Sequence, residues 1–192
     1  MELTILNISN TTLHLPEGNF LAKTIAFDEF DRQYLKETYG LWRELTEKLH
    51  NIQGRGINLP EALSESAFCL EMNAVRVPEN IQGAKSSFDC YQTENNRRIQ
   101  IKACSVLPDL TSFGPKSVWD DLYFLDFLRG GQWDGSFDIY LIDNELIYNH
   151  PVNSDETLWD QQQQGRRPRF SIYRDIIEPN HIMPIKTGRI WK

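Results

Sequence analysis

Between Arg98 and Ala103 polar and apolar residues alternate without a break: Arg98, Gln100 and Lys102 against Ile99, Ile101 and Ala103. Successive side chains of a strand point to opposite faces, so this period of two marks a strand with one packed face and one polar face. Upstream, SSFDCYQ (86–92) alternates in the same way, with Ser87, Asp89 and Tyr91 opposing Phe88 and Cys90, and the polar knot TENN separates the two runs. The pair reads as a β-hairpin. Parity bounds its register. A connecting loop with an even number of residues, centred on Glu94–Asn95, sets Asp89 opposite Gln100, and one centred on Asn95–Asn96 sets it opposite Lys102. Either choice gathers Asp89, Gln100 and Lys102 on one face, with directly opposed Cβ atoms ~5 Å apart and diagonal ones ~7–8 Å. An acid facing a lysine also describes an ordinary cross-strand ion pair, worth roughly 0.2–1 kcal/mol. The apolar Ile99–Ile101 face argues instead for a central, packed strand.

The remaining segments supply layers for that strand. Residues 28–50 place Phe30, Tyr34, Leu41, Trp42, Leu45 and Leu49 at helical spacing, with Asp28 as N-cap and Gly40 as a point where the helix breaks. Asn58 caps a second helix over 59–73, with Pro60 in its first turn and Leu59, Leu63, Ala67 and Leu70 as its apolar stripe; Glu61 and Glu65, four apart, share another face. TSFGPKS (111–117) reads as a loop and DLYFLDFL (121–128) as a largely buried strand. SFDIYLI (136–142) and ELIYN (145–149) read as strands joined by an Asp143–Asn144 turn. Residues 154–164 read as a short helix ended by Gly165, residues 167–177 as a last strand, and residues 179–192 as an irregular basic end. This order predicts an α/β (α+β) domain around a twisted sheet. A single domain over 1–192 is expected, with 1–50 as an N-terminal helical segment and 51–192 as the core.

No apolar run approaches the ~20 residues that span a bilayer, and the first residues lack the basic flank and apolar centre of a secretory signal. Cys69, Cys90 and Cys104 sit in apolar contexts with no CxxC spacing, which points to reduced thiols, no zinc site and a cytoplasmic setting. His14, His50, His150 and His181 are scattered and organise no metal site. The net charge is −7, a poor footprint for nucleic acid, but it is uneven. Residues 103–164 carry 11 acids against 2 bases, residues 165–192 carry 7 bases against 2 acids, and residues 85–102 carry 4 bases against 2 acids. Two basic segments in an acidic chain form one basic face if the fold brings them together.

The chemistry available to the hairpin is that of a hydrated hard cation. Mg²⁺ takes oxygen ligands and keeps several waters, so one or two carboxylates with a backbone carbonyl suffice, and a lysine beside them positions an attacking water. A helix bearing Glu, a strand bearing Asp, and a strand bearing (Asp/Glu/Gln)-x-Lys resemble the core of the PD-(D/E)XK nuclease superfamily; here they read SESAFCLEMN, SFD ending at Asp89, and IQIK ending at Lys102. Gln100 departs from the commoner acid and is similar to a minority QxK form, which removes one charge from the metal site. GINLPEALSE, SFGPKSVWDDLYFLDF, DGSFDIYLI and GRRPRFSI resemble segments of small type II restriction endonucleases, some of which cut GC-rich sites such as GCNGC.

The resemblance implies a restriction-endonuclease-like core, a central mixed β-sheet flanked by helices, and Mg²⁺-dependent hydrolysis of double-stranded DNA at a short palindrome. It assigns Asp89 and the Ile101 carbonyl to the metal, Gln100 to the place beside them, Lys102 to the attacking water, and Glu65 (with Glu61 as the weaker choice) to the helix carboxylate. Lys85, Arg97, Arg98, Ser112, Lys116, Arg166, Arg167 and Arg169 are candidates for DNA contact; arginine pairs bidentately with phosphate or guanine. The Gln161–Gln164 run either reads adenine or lies idle. Palindromic cutting implies a homodimer, with residues 28–50 as part of its interface, and a cognate DNA methyltransferase as a functional partner. The alternatives are a repair, nicking or junction-resolving nuclease of the same core, and a non-catalytic DNA-binding domain.

Overall fold

The alternating strand forms at the middle of the sheet. The computed structural model of the chain describes residues 7–190; Trp191 and Lys192, part of the basic end, lie outside them. In chain order the elements are β1 (Asn7–Leu15), β2 (Gly18–Ala26), α1 (Asp31–Asn51), α2 (Glu61–Met72), β3 (Val75–Arg76), β4 (Cys90–Gln92), β5 (Arg97–Cys104), β6 (Thr111–Ser112), β7 (Asp121–Asp126), β8 (Ser136–Ile142), α3 (Asn144–Tyr148), α4 (Leu158–Gln163), β9 (Arg169–Phe170), a wide helical turn at Tyr173–Ile177, and β10 (Lys186–Arg189). Eight strands form one mixed sheet in the order β1-β2-β3-β4-β5-β7-β8-β10, and β6 and β9 form a small second sheet. Among the strands of the described residues only β5 and β7 pair in parallel; the other strand pairings are antiparallel. This is the expected α/β restriction-endonuclease-like architecture.

Alternation divides the core into two layers. Ile99 and Ile101 of β5, Tyr123 and Leu125 of β7, and Phe137 and Ile139 of β8 pack beneath Leu35, Tyr39 and Trp42 of α1 and Leu63, Ala67 and Phe68 of α2. On the opposite face Cys104, Leu122, Phe124, Tyr140 and Ile142 meet Phe113, Trp119, Leu158 and Phe170. Each such side chain taken wholly out of water contributes ~1.5–3 kcal/mol. A third cluster of Leu13, Leu15, Ala22, Val77, Phe88 and Tyr91 ties the β1–β2 hairpin to the strand bearing Asp89.

Several local expectations give way. Residues 1–50 are not helical throughout, because 7–26 form the β1–β2 hairpin. α1 runs unbroken through Gly40. Asp28 does not cap it: Phe30 holds the N-cap position, and the Asp28 carboxylate accepts the Phe30 N–H (2.8 Å). Pro60, not Asn58, precedes α2. ELIYN is helix α3 rather than a strand, because the Asp143 side chain accepts the Glu145 N–H (2.8 Å) and acts as a helix cap, not as half of a turn. Of 167–177 only Arg169–Phe170 is strand. The basic end is not wholly irregular, since Lys186–Arg189 pairs with Ser136–Ile139. The short helix before Gly165 is α4, closed at its start by a Thr157–Asp160 capping box.

Two glycines test this geometry in opposite directions. A Cβ on Gly40 meets nothing within 4 Å, whereas one on Gly188 falls 2.5 Å from Cζ of Phe137, whose ring stacks on Phe127. Gly40→Ala is expected to raise stability by ~0.5–1 kcal/mol through helix propensity, an increase in Tm of roughly 1–4 °C. Gly188→Ala is expected to lower stability by ~1–3 kcal/mol through overpacking. Calorimetry of the two variants measures both signs.

Candidate active site

The β4–β5 hairpin turns on Glu94–Asn95. Cys90 pairs with Ile99, Tyr91 with Arg98 and Gln92 with Arg97, the register that would set Asp89 opposite Gln100 if the ladder ran on past Cys90. At Asp89 the ladder changes character. The Asp89 N–H donates to the Ile99 carbonyl (3.0 Å), so Asp89 and Cys90 both lie against one residue of β5. The Asp89 carboxylate then takes the next backbone donor: its Oδ2 accepts the Ile101 N–H (2.7 Å) and an N–H from the Gln100 side-chain amide. Gln100 is buried at 3% exposure, so this amide is held on the carboxylate and away from solvent. Lys102, two residues on, is half-buried with its ammonium 5.6 Å from the centroid of the Phe113 ring.

α2 brings Glu65 to the same place from the other side. The Glu65 carboxylate is buried and accepts a hydrogen bond from Nε of Arg76 on β3 (2.6 Å). A cleft of about 640 Å³ is lined by Glu61, Glu65, Asp89, Ile101 and Lys102, with Ser112 of β6 and Arg169 of β9 on its wall. A second cleft of about 490 Å³ shares Glu61, Glu65 and Asp89 and adds Arg76 and Ser87. The acids therefore sit between Lys102 and Arg76. Burial is the main force on Asp89, and the charge of Glu65 adds to it; together they push the Asp89 carboxyl up to about 7, against the pull of Lys102 and the Ile101 N–H. Burial also raises Glu65, offset first by Arg76.

The structure thus brings together Asp89, Gln100, Ile101, Lys102 and Glu65, with Glu61 at the rim, and sets Ser112 and Arg169 beside them. Other candidates are placed elsewhere. Arg98 is expected on the polar face; its guanidinium is instead buried in a two-point pair with Asp120 (2.7 and 3.1 Å), which runs alongside it ahead of β7 and donates its N–H to the Arg98 carbonyl (2.9 Å). Arg97 pairs with Asp121. Arg166 is exposed but bound to Glu156 (2.8 Å). Arg167 lies over Gly114. Lys85 and Lys116 are exposed. Of the Gln161–Gln164 run, Gln161 and Gln162 are buried and Gln162 donates to the Gly114 carbonyl (2.8 Å), while Gln163 and Gln164 are exposed. Much of the basic end is likewise paired, Lys186 with Glu71 and Arg174 with Asp175.

Two residues around the site leave almost no mark in the sequence. Arg76 lies on a two-residue strand too short to show alternation. Asp109 is buried and its carboxylate accepts from Thr111 Oγ1 (2.8 Å), Ser171 Oγ (2.6 Å), Ile172 N–H (3.0 Å) and Tyr173 N–H (3.1 Å), which fixes the β6–β9 wall of the cleft. An acid two residues before a threonine in a proline-bearing loop is the only trace of it in the sequence. Among the described residues no three His, Cys, Asp or Glu side chains converge as a metal cluster, and no helix is long and apolar enough to cross a membrane.

Comparison with known proteins gives the family. The family model for the Bsp6I restriction endonuclease matches residues 27–179, which hold α1, α2 and all of the residues of the cleft. The type II restriction enzyme Bsp6I of Bacillus sp. (strain RFL6) is 40% identical over 152 residues, which span 78% of this chain and 82% of that protein. No solved structure matches. The chain belongs to the Bsp6I family of type II restriction endonucleases.

Proposed function

We propose that this protein hydrolyses both strands of double-stranded DNA at a short palindrome, GC-rich and of the GCNGC kind, in a Mg²⁺-dependent reaction carried by Asp89, Glu65, Gln100 and Lys102, and that it does so as a homodimer. The observation that carries the reading is the convergence of Asp89, the Ile101 backbone and Lys102 in one cleft with a helix carboxylate. The donor set suits a divalent ion that keeps most of its water. Two carboxylates of like charge, Glu65 buried and Asp89 half-buried, raise each other's affinity for a cation, and the Ile101 carbonyl adds an oxygen. Asp89, Glu65 and that carbonyl would hold the ion, which when bound polarises the scissile phosphate and acidifies water.

The chain's own groups do the rest. Gln100 fixes the Asp89 carboxylate through its amide and adds no charge. Lys102 offers an ammonium to the attacking water and to the negative charge that builds on the phosphate oxygens. Arg169, with Ser112, lies on the cleft wall where the sugar–phosphate chain would run. Lys85, Lys116 and Arg167 remain exposed for further phosphates. A DNA methyltransferase of the same specificity is the expected functional partner.

Asp89→Ala and Lys102→Ala are each expected to reduce plasmid cleavage at least about 10³-fold while cognate DNA binding in Ca²⁺, read by fluorescence anisotropy, changes less than about tenfold. Cleavage retained by either variant removes the assignment.

The Asp89 carboxyl also makes stability depend on pH. Its folded value of about 7 lies above the unfolded ~3.9, so the folded chain binds the extra proton. The resulting stabilisation is full below ~4, falls as pH rises, and is gone above ~7. Asp89→Asn keeps the acceptor for Ile101 and abolishes the charge. In metal-free buffer at pH 8 it is expected to be more stable than the parent by up to about 4 kcal/mol, with the gap closing toward pH 4. Millimolar Mg²⁺ at pH 8 should raise the parent's Tm and leave that of Asp89→Asn unchanged. Thermal melts across pH, with and without the ion, test both statements.

A further inference from the structure

α1 carries two apolar faces. Leu35, Tyr39, Trp42 and Thr46 turn inward and are buried. Five large apolar side chains on and just beyond the helix are left in solvent: Phe30 at 91% exposure, Tyr34 at 42%, Leu41 at 67%, Leu45 at 48% and Ile52 at 75%. With 3.6 residues per turn they fall within a sector of about 60°, centred about 120° from the inward face, and extend for about 33 Å. A helix that lies on a monomer places polar residues there. At ~150–200 Å² for each fully exposed large side chain, the stripe offers on the order of 500 Å² of apolar surface, a contiguous patch of the size that marks interaction sites.

We propose that this stripe is the interface between two copies of the chain, packed as antiparallel α1 helices with the two-fold axis at Leu41. The spacing of the stripe is nearly its own reverse. About Leu41, Phe30 meets Ile52 of the second copy, and Tyr34 comes within one turn of Leu45, so the same face serves both copies, as an isologous interface requires. At the edge of the sector Lys48 of one copy comes within a turn of Glu37 of the other; Glu37 also comes beside Glu44 of the other copy, whose charge is offset by Lys48 of its own helix. The stripe supplies most of the ~800 Å² that each partner of a standard interface contributes, and the flanking Glu37, Thr38, Glu44 and Lys48 supply the remainder. The helix is also close to the cleft: α1 packs on α2, which carries Glu65. The inference deepens the homodimer reading given above by naming its surface and register, and it does not depend on the activity.

Sedimentation equilibrium of the full chain tests it. The parent is expected at twice 22.4 kDa, about 45 kDa, and Leu41→Glu at 22.4 kDa with an unchanged circular dichroism spectrum, since Leu41 is exposed. The register is read separately by cysteine substitution, because Cys69, Cys90 and Cys104 are buried. With the oxidant diamide, Leu41→Cys is expected to cross-link into covalent dimers while Gln33→Cys, on the flank of the helix, is not. A parent that is monomeric at tens of micromolar overturns the proposal. So does a Leu41→Glu variant that stays dimeric, or one whose mass is unchanged while its DNA affinity falls, which would give the stripe to DNA. Cross-linking by Gln33→Cys and not Leu41→Cys overturns the register. Failure of the nuclease reading appears instead as an intact dimer that leaves plasmid uncut.

Discussion

The geometry of the site depends on one carboxylate that stands in for backbone. Between β4 and β5 the regular ladder ends at Cys90 and Ile99, and Asp89 moves out of step by donating its N–H to the same Ile99 carbonyl. The Ile101 N–H would then be left without its cross-strand partner. The Asp89 Oδ2 takes it, and the Gln100 amide closes on the same oxygen. A buried backbone donor is satisfied, and an acidic side chain is drawn into the sheet where desolvation raises its pKa. The cost of burying that charge is what makes the position receptive to a cation. The same hydrogen bonds aim the next residue of the strand face, Lys102, into the cleft beside it.

Gln100 is consistent with this arrangement. An acid in its place would set a second negative charge against Asp89, which is already destabilised by Glu65 and Glu61. An amide donates a hydrogen bond instead, and in the proposed reading the metal would be held by Asp89 and by the carboxylate on α2. Arg76 completes the balance from the opposite side by holding Glu65. The acids are thus flanked by Lys102 in one cleft and Arg76 in the other. The wall over the first cleft is held by Asp109, which accepts from Thr111 nearby and from Ser171, Ile172 and Tyr173, and the last three bonds join the loop after β5 to the segment after β9.

The parts legible in the sequence were those governed by strict periodicity. The alternation in RRIQIKA marks the strand and its two faces, and parity bounds two registers, one of which holds as far as Cys90, where Asp89 falls out of step. The period of α1 and α2 gave both helices and placed Glu65. What escaped was set by tertiary contact. NISNTTLHL is largely polar and exposed, so nothing in it signals that β1 joins an eight-stranded sheet. ELIYN has the residues of a strand, and only the Asp143 cap decides for helix. KTGR has no alternation; it pairs because Gly188 lets the backbone lie against Phe137. Arg98 shares a face with Gln100 and Lys102, but the partner that removes it, Asp120, arrives from the segment leading into the parallel strand β7.

Sequencing the ends left on phage DNA after incubation with the purified protein and Mg²⁺ tests the central claim most directly. A site-specific enzyme with this cleft is expected to yield discrete fragments whose termini all fall at one position within a single repeated palindrome, and to yield none in EDTA. Termini scattered over unrelated sequences, or DNA left intact in Mg²⁺, would contradict the account.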